Sequence, residues 1–222
     1  MLVNEILNPM RTPLRASDTV RVAVDAMVSQ LHTQMAVIDF TTGKLLGEVN
    51  LVDLQAPEAD KSALMAFVSK SPYLLRFDTH ILDAAGQMVR DNQDVAYVID
   101  DENSYLGTID QSDFADPISR LLNVSEEGSV VMVQVNERDY ALSDIVRIIE
   151  LEGVRILGIG VELIESEPRA YRISLKLNQT DITKVIHVLN RYGYIITSET
   201  ITENTDDELH DRADELMRYL SI

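Results

Sequence analysis

Gly107-Thr108-Ile109-Asp110-Gln111-Ser112-Asp113-Phe114 decides the reading of this chain, because Gly47-Glu48-Val49-Asn50-Leu51-Val52-Asp53-Leu54 stands sixty positions upstream. Each copy holds a Gly, a β-rich run, a polar residue three positions after the Gly and an Asp six after it. An aliphatic or aromatic residue closes the unit. The spacing alone carries little. Repeated inside a longer shared frame, it marks a duplicated module.

The frame extends upstream. Thr12-Pro13 and Asp18-Thr19 in the first copy answer Ser71-Pro72 and Asp78-Thr79 in the second. Val20, Ala23, Val24 and Met27, and then Ile81, Ala84, Ala85 and Met88, fall at i, i+3, i+4 and i+7, which predicts one buried stripe on a helix. Asp-Thr before each stripe suits a helix N-terminus, where side-chain oxygens accept orphan N–H bonds. A strand follows (Ala36 to Asp39, Tyr97 to Asp100), then a polar turn (Thr41 to Lys44, Asp101 to Ser104), then the Gly-led strand.

This pattern resembles the CBS domain, and two copies in tandem resemble a CBS pair over residues 1–124, with repeats at about 1–60 and 61–124. The resemblance implies two β-α-β-β-α units that associate through their sheets and leave clefts for adenosine derivatives. The family's ligand signature is Gly-h-x-(Thr/Ser)-x-x-Asp, in which the hydroxyl residue and the Asp face the ligand and the Asp takes the ribose hydroxyls. The Asp is present twice, as Asp53 and Asp113, while Asn50 and Asp110 stand at the hydroxyl position. The ligand-binding residues so implied are Asn50, Asp53, Asp110 and Asp113. The alternative is structural: an Asp after a strand and before Leu54 or Phe114 suits the N-cap of the following helix.

Asp110 adds an anion to such a cleft, and its repulsion of a phosphate at about 4 Å is appreciable where solvent is partly excluded. The net charge of −18 disfavours polyanions further. The cations nearest in this frame are Arg15 and Arg76, on the strands that precede each helix. The reading therefore favours AMP or a neutral or cationic adenosine compound over ATP, with no cofactor required.

The 222 residues suit two modest domains, and 45% hydrophobic residues suffice for a core. No apolar run approaches the roughly 20 residues of a membrane helix, and no basic-then-apolar leader opens the chain. The reading is a cytoplasmic protein without a membrane partner. Zero cysteines exclude disulfides and thiol chemistry. A pI of about 4.4 argues against nucleic-acid binding, which needs a basic footprint.

Asp116 to Leu122 reads as a short helix closing the pair, and polar Asn123 to Ser129 as a linker. A second module follows over 129–200. Val130 to Val135 is β-branched, and Ala141 to Glu152 carries Leu142, Ile145, Val146 and Ile149 at helical spacing. Arg155 to Glu165 is strand-like, and the Ser166-Glu167-Pro168 turn leads to Tyr171, Ile173, Leu175 and Leu177 in strict alternation. A helix over Ile182 to Tyr192 and a strand over Tyr194 to Ser198 complete a βαββαβ, ferredoxin-like order. The fold class is α+β throughout.

Length and order resemble an ACT domain, and Arg138-Asp139-Tyr140-Ala141-Leu142 resembles that family's Arg-Pro-Gly-x-Leu turn. Gly there lets an amino acid approach the backbone; Tyr140 fills that place here, which points to an interaction role, with a retained ligand site as the alternative. CBS, CBS and ACT in this order resemble the acetoin utilisation protein (AcuB) family, a likeness of module order that carries no chemistry. A tail over 205–222 has a capping box at Thr205 to Glu208 and an apolar stripe through Leu209, Ala213, Leu216, Met217 and Leu220. It reads as an amphipathic helix, docked on its own domain or across a homodimer.

His32, His80, His187 and His210 pair with no ligand at metal spacing, and no nucleophile elbow, phosphate loop or His-Glu-x-x-His occurs. The expectation is no enzyme and no metal. What the residues support is a homodimeric, ligand-sensing regulator with an unknown protein target. A constitutive dimerisation or adaptor module with decayed ligand sites is the alternative.

Overall fold

The structure, a computed structural model, describes residues 1–8, 11–56, 62–165 and 169–199. The chain divides into two compact units, Met1–Ile118 and Ser119–Ile222. The expected helix over 205–222 and the Ser166 to Pro168 turn lie outside the described residues.

In the first unit the duplicated frame becomes duplicated structure. The first repeat runs β1 (Leu14–Arg15), α1 (Val20–Ser29), β2 (Gln34–Ile38), β3 (Leu45–Asn50) and α2 (Leu51–Leu54). The second runs β4 (Leu74–Arg76), α3 (Ile81–Arg90), β5 (Val95–Ile99) and β6 (Tyr105–Asp110). A 3₁₀ turn, Gln111–Phe114, and α4 (Ala115–Leu121) follow. Each repeat has one three-stranded sheet, ordered β1-β2-β3 and β4-β5-β6, with a parallel and then an antiparallel pairing. The registers correspond residue for residue: Gln34 opposes Asn50 as Val95 opposes Asp110, and Val37 opposes Gly47 as Val98 opposes Gly107. Both hairpins slip register at the same place, before Ile38 and before Ile99.

The helix stripes fall where the spacing puts them, with Val20, Ala23 and Met27 buried on α1 and Ile81, Ala84 and Met88 buried on α3. The caps differ between copies. Thr19 Oγ1 accepts the Val22 N–H at 3.3 Å, whereas the second helix starts one residue later and His80 Nδ1, not Thr79, accepts the Leu82 N–H at 3.3 Å. The one-residue insertion moves the cap, and an imidazole nitrogen replaces a hydroxyl oxygen.

Each repeat is completed by the segment that leads into the other. Val3 is fully buried in the core of the second repeat, and its N–H donates to Thr79 O at 2.9 Å. Leu64 is fully buried in the core of the first, where Ala63 bridges to Thr19. Burying such an aliphatic side chain is worth about 1.5–3 kcal/mol, so the exchange ties the two repeats together. Between the sheets, Ala36, Val95 and Tyr97 form a further buried cluster with Leu45 and Tyr105 against it. β5 is buried at every position because one face meets its own helix and the other meets the opposite repeat.

The second unit runs β7 (Ser129–Asn136), α5 (Leu142–Leu151), β8 (Ile156–Ile164), β9 (Ala170–Leu177), α6 (Thr183–Arg191) and β10 (Ile195–Glu199). Its antiparallel sheet is ordered β10-β7-β9-β8, the order of a split βαβ unit. Val131, Val133 and Val135 of β7, with Ile173, Leu175 and Leu177 of β9, meet Ile145, Ile148 and Ile149 of α5 and Val185 and Leu189 of α6. Ile148 lies in that core where the spacing had placed Val146, because 145, 148 and 149 share the stripe. Tyr140 remains 40% exposed and packs its ring on Tyr171, with centroids 4.9 Å apart.

Candidate functional site

Each motif Gly sits beneath a crossing segment. A Cβ at Gly47, whose φ is +151°, would overlap the carbonyl oxygen of Ser69; one at Gly107 would press on Leu7 at 3.1 Å. Ser69 leads into the second repeat, and Leu7 precedes the first. The glycines are therefore needed where the exchanged segments cross the Gly-led strands.

β6 delivers Asp110 to the face that looks toward the other repeat. Asp110 is the N-cap of the following turn, and its N–H donates to Asp113 Oδ2 at 2.8 Å. The cap position thus falls on Asp110, with Asp113 answering from the third residue in the manner of a capping box. The sequence reading had put the cap on Asp113 itself. Asn50 holds the same place before α2 without a side-chain cap bond. Neither it nor Asp53 makes a side-chain hydrogen bond or ion pair among the described residues.

The cation beside Asp110 is Arg11. It forms an ion pair with Asp110 Oδ2, and its side chain is only 8% exposed. The expected cations lie elsewhere: Arg15 stacks over the Phe40 ring at 4.4 Å, and Arg76 pairs with Asp78 and Asp101. This overturns the picture of Asp110 as an uncompensated anion in the cleft. Arg11 immediately precedes Thr12-Pro13, and the frame puts Lys70 at the same place before Ser71-Pro72. That shared basic position was the signal the sequence reading passed over.

His32, between α1 and β2, joins the cluster from the first repeat. Burial and then the Arg11 charge hold its imidazole below the ordinary value of 6.5, while Asp110 and Asp113 pull the other way. Asp110 is raised above its ordinary 3.8, first by burial and then by Asp113, with Arg11 and His32 opposing. Residues distant in sequence thus share one electrostatic site, which no local spacing could reveal.

Below them, Tyr97 and Tyr105 line the interface between the sheets. Tyr105 Oη and Thr108 Oγ1 lie 2.8 Å apart and share a hydrogen bond. Thr108 therefore supplies a hydroxyl two residues before the motif position, but one already engaged. Tyr97 is fully buried, and burial followed by the charge of Glu48 pushes its hydroxyl far above the ordinary range. Among the described residues the Arg11 Nε and Nη1 groups are buried without hydrogen-bond partners, while the Tyr97 hydroxyl lies against the Glu48 carboxylate.

Residues 64–120 match the family model of the CBS domain. The match covers the second repeat, whose strand registers the first repeat reproduces. A CBS domain pair/ACT domain protein from Thermotoga maritima is similar at 23% identity, covering 53% of this chain and 96% of that one, with a TM-score of 0.47. The protein CBSX2 in complex with AMP is similar at 20% identity, covering 53% and 95%, with a TM-score of 0.46. A protein from Methanocaldococcus jannaschii is similar at 14% identity, covering 55% and 60%, with a TM-score of 0.50, a likeness of fold. No curated protein matches the chain.

Asp110 and Asp113 thus stand with Arg11 and His32 in one cluster, while Asn50 and Asp53 take the corresponding place in the first repeat. Among the described residues no group of His, Asp and Glu is arranged to hold a metal ion, and no helix is long and apolar enough to cross a membrane.

Proposed function

We propose that this chain is a non-catalytic regulatory module that senses an adenosine-type small molecule through its paired repeats and signals through the geometry of a homodimer. The observation that carries the proposal is the cluster of Asp110, Asp113, Arg11 and His32, in which both repeats meet around the motif of a matched CBS domain. A site built across two repeats responds to ligand through their relative placement. Such a switch works when the ligand has different affinity for two arrangements.

The second unit is proposed as an ACT-like interaction domain, on its split βαβ order and the packing of the Tyr140 ring, at the turn after β7, against Tyr171. A constitutive adaptor with decayed sites is the competing reading. It is favoured by the Asp110 N–H bond to Asp113 Oδ2, which gives that carboxylate a structural task.

A thermal-shift screen with adenosine, AMP, ATP, S-adenosylmethionine, NAD and amino acids separates the two, because a bound ligand stabilises by RT ln(1 + [L]/Kd). Stabilisation by an adenosine compound supports sensing; none across the panel supports the adaptor. Light scattering tests the dimer, and the monomer mass of 24.9 kDa at micromolar concentration would refute it.

A further inference from the structure

The sheet of the second unit has two faces, and its helices take one. Val131, Val133 and Val135 of β7 and Ile173, Leu175 and Leu177 of β9 are buried against α5 and α6. Strand alternation turns Val130 and Met132 of β7, and Arg172, Ser174 and Lys176 of β9, to the other face. Ile195 of β10, opposite Gln134, joins them and is 63% exposed. Val130, Met132 and Ile195 pack against none of the buried clusters among the described residues. β8 adds Gly158 and Gly160 to this face, opposite Lys176 and Ser174. The Leu122 carbonyl already crosses Gly158, but only Ser174 Cβ comes within 4.0 Å of a Cβ built on Gly160. Gly160 and Ser174 thus leave a low floor beside Met132, and an apolar sheet face of this kind is ordinarily covered by another layer.

The chain itself carries a matching cover. β10 is an edge strand that runs from Ile195, opposite Gln134, to Glu199, opposite Val131. The chain therefore leaves the sheet at the end where Val130 opposes Lys176. Residues 200–204 come next and reach at most about 17 Å, enough to turn onto a layer about 10 Å away. At 1.5 Å per residue the helix expected over 205–222 is about 27 Å long, and an eight-residue strand such as β9 runs about 26 Å. The charges agree in direction as well. Lys176 Nζ donates to Gly128 O at 3.4 Å and has no carboxylate partner among the described residues. The tail opens with Asp206-Asp207-Glu208, next to the end of the sheet where Lys176 stands.

We infer that residues 205–222 cover the helix-free face of their own sheet, with the stripe of Leu209, Ala213, Leu216, Met217 and Leu220 against Val130, Met132 and Ile195 and the acidic opening beside Lys176. A short tether favours the tail of the same chain over that of a second copy, because it holds the segment at high effective concentration. The inference is independent of the ligand-sensing reading.

The absence of native cysteines gives a clean test by disulfide trapping in the full chain. Met132→Cys is combined with Ala213→Cys, in the stripe, or with Asp211→Cys, on the opposite side of the same helical register. Each protein is mildly oxidised at micromolar concentration and followed on non-reducing gels. The expected result is a bridge within one 24.9 kDa chain, formed at least tenfold faster with Ala213→Cys than with Asp211→Cys. Adding Leu216→Asp is expected to slow that bridge at least fivefold. Val130→Cys with Leu209→Cys is the second pair, with the same expectation, should Met132→Cys disturb the fold. Equal rates for the two tail positions, or a rate indifferent to Leu216→Asp, overturn the inference, because chance collision then explains the bridge. Bridges that form only between chains also overturn it and make a second copy the occupant.

Discussion

Arg11, which precedes the first repeat, is ion-paired with Asp110, which ends the last strand of the second. The pair joins the beginning of the duplicated unit to its end. Asp110 is the more exposed partner, at 22% against 8% for Arg11. Removing Asp110 therefore strands a buried cation, whereas removing Arg11 leaves a carboxylate that reaches water. Asp110→Ala is expected to cost about 3 kcal/mol and Arg11→Met less, with the double variant no less stable than Asp110→Ala alone. Denaturant unfolding of the four proteins checks this, and strictly additive losses would show that the two charges are not coupled.

The two motif glycines should respond unequally. Gly47 has φ +151° and backbone above it, so Gly47→Ala must displace the chain at Ser69 and is expected to cost more than 2 kcal/mol. Gly107 meets only the Leu7 side chain, which can shift, so Gly107→Ala is expected to cost about 1 kcal/mol or less. Similar melting temperatures for the two variants would contradict the crossing-segment account of the motif.

Much of this architecture was written in the repeat. The helix stripes, the strand order and the paired Asn50 and Asp110 positions follow from periodicity and from the shared frame, because each rests on contacts local to one repeat. The exchange of Val3 and Leu64 between cores was not legible, since an apolar residue in a leading segment does not say which core it enters. Arg11 and His32 were missed for the same reason: their partners Asp110 and Asp113 belong to the other repeat. The cap at His80 was missed because the frame carries an extra residue there, and Thr79 looked adequate.

The two motif carboxylates should separate in their effect on stability. Asp113→Ala deletes the acceptor for the Asp110 N–H and is expected to cost about 0.5–2 kcal/mol. Asp53→Ala removes no recorded bond among the described residues and is expected to stay within about 0.5 kcal/mol. Equal losses in thermal unfolding would mean that the first repeat carries a cap of its own.

Stability should also depend on pH through His32. Its folded value lies below 6.5, so between that value and 6.5 the unfolded chain binds more protons than the folded one. Stability then rises with pH across this window and is lost as pH falls through it. Asp110 has the opposite sign in a more acidic window, because its folded value lies above 3.8 and the folded chain binds the extra proton. Replacing His32 with Gln is expected to flatten the stability profile just below pH 6.5 and to leave the acidic limb in place. An unchanged profile in that variant would show that His32 titrates as it does in water.

The central claim is that the cleft where the two repeats meet around Asp110 and Asp113 binds an adenosine-type ligand. The most direct measurement is a calorimetric titration of adenosine into the wild-type chain and into Asp113→Ala, both shown to be folded. The account predicts saturable binding to the wild type, weakened roughly ten- to a hundredfold by loss of one charge-assisted hydrogen bond of about 1.5–3 kcal/mol. Binding of equal strength to both proteins, or no heat of binding to the wild type, would contradict it.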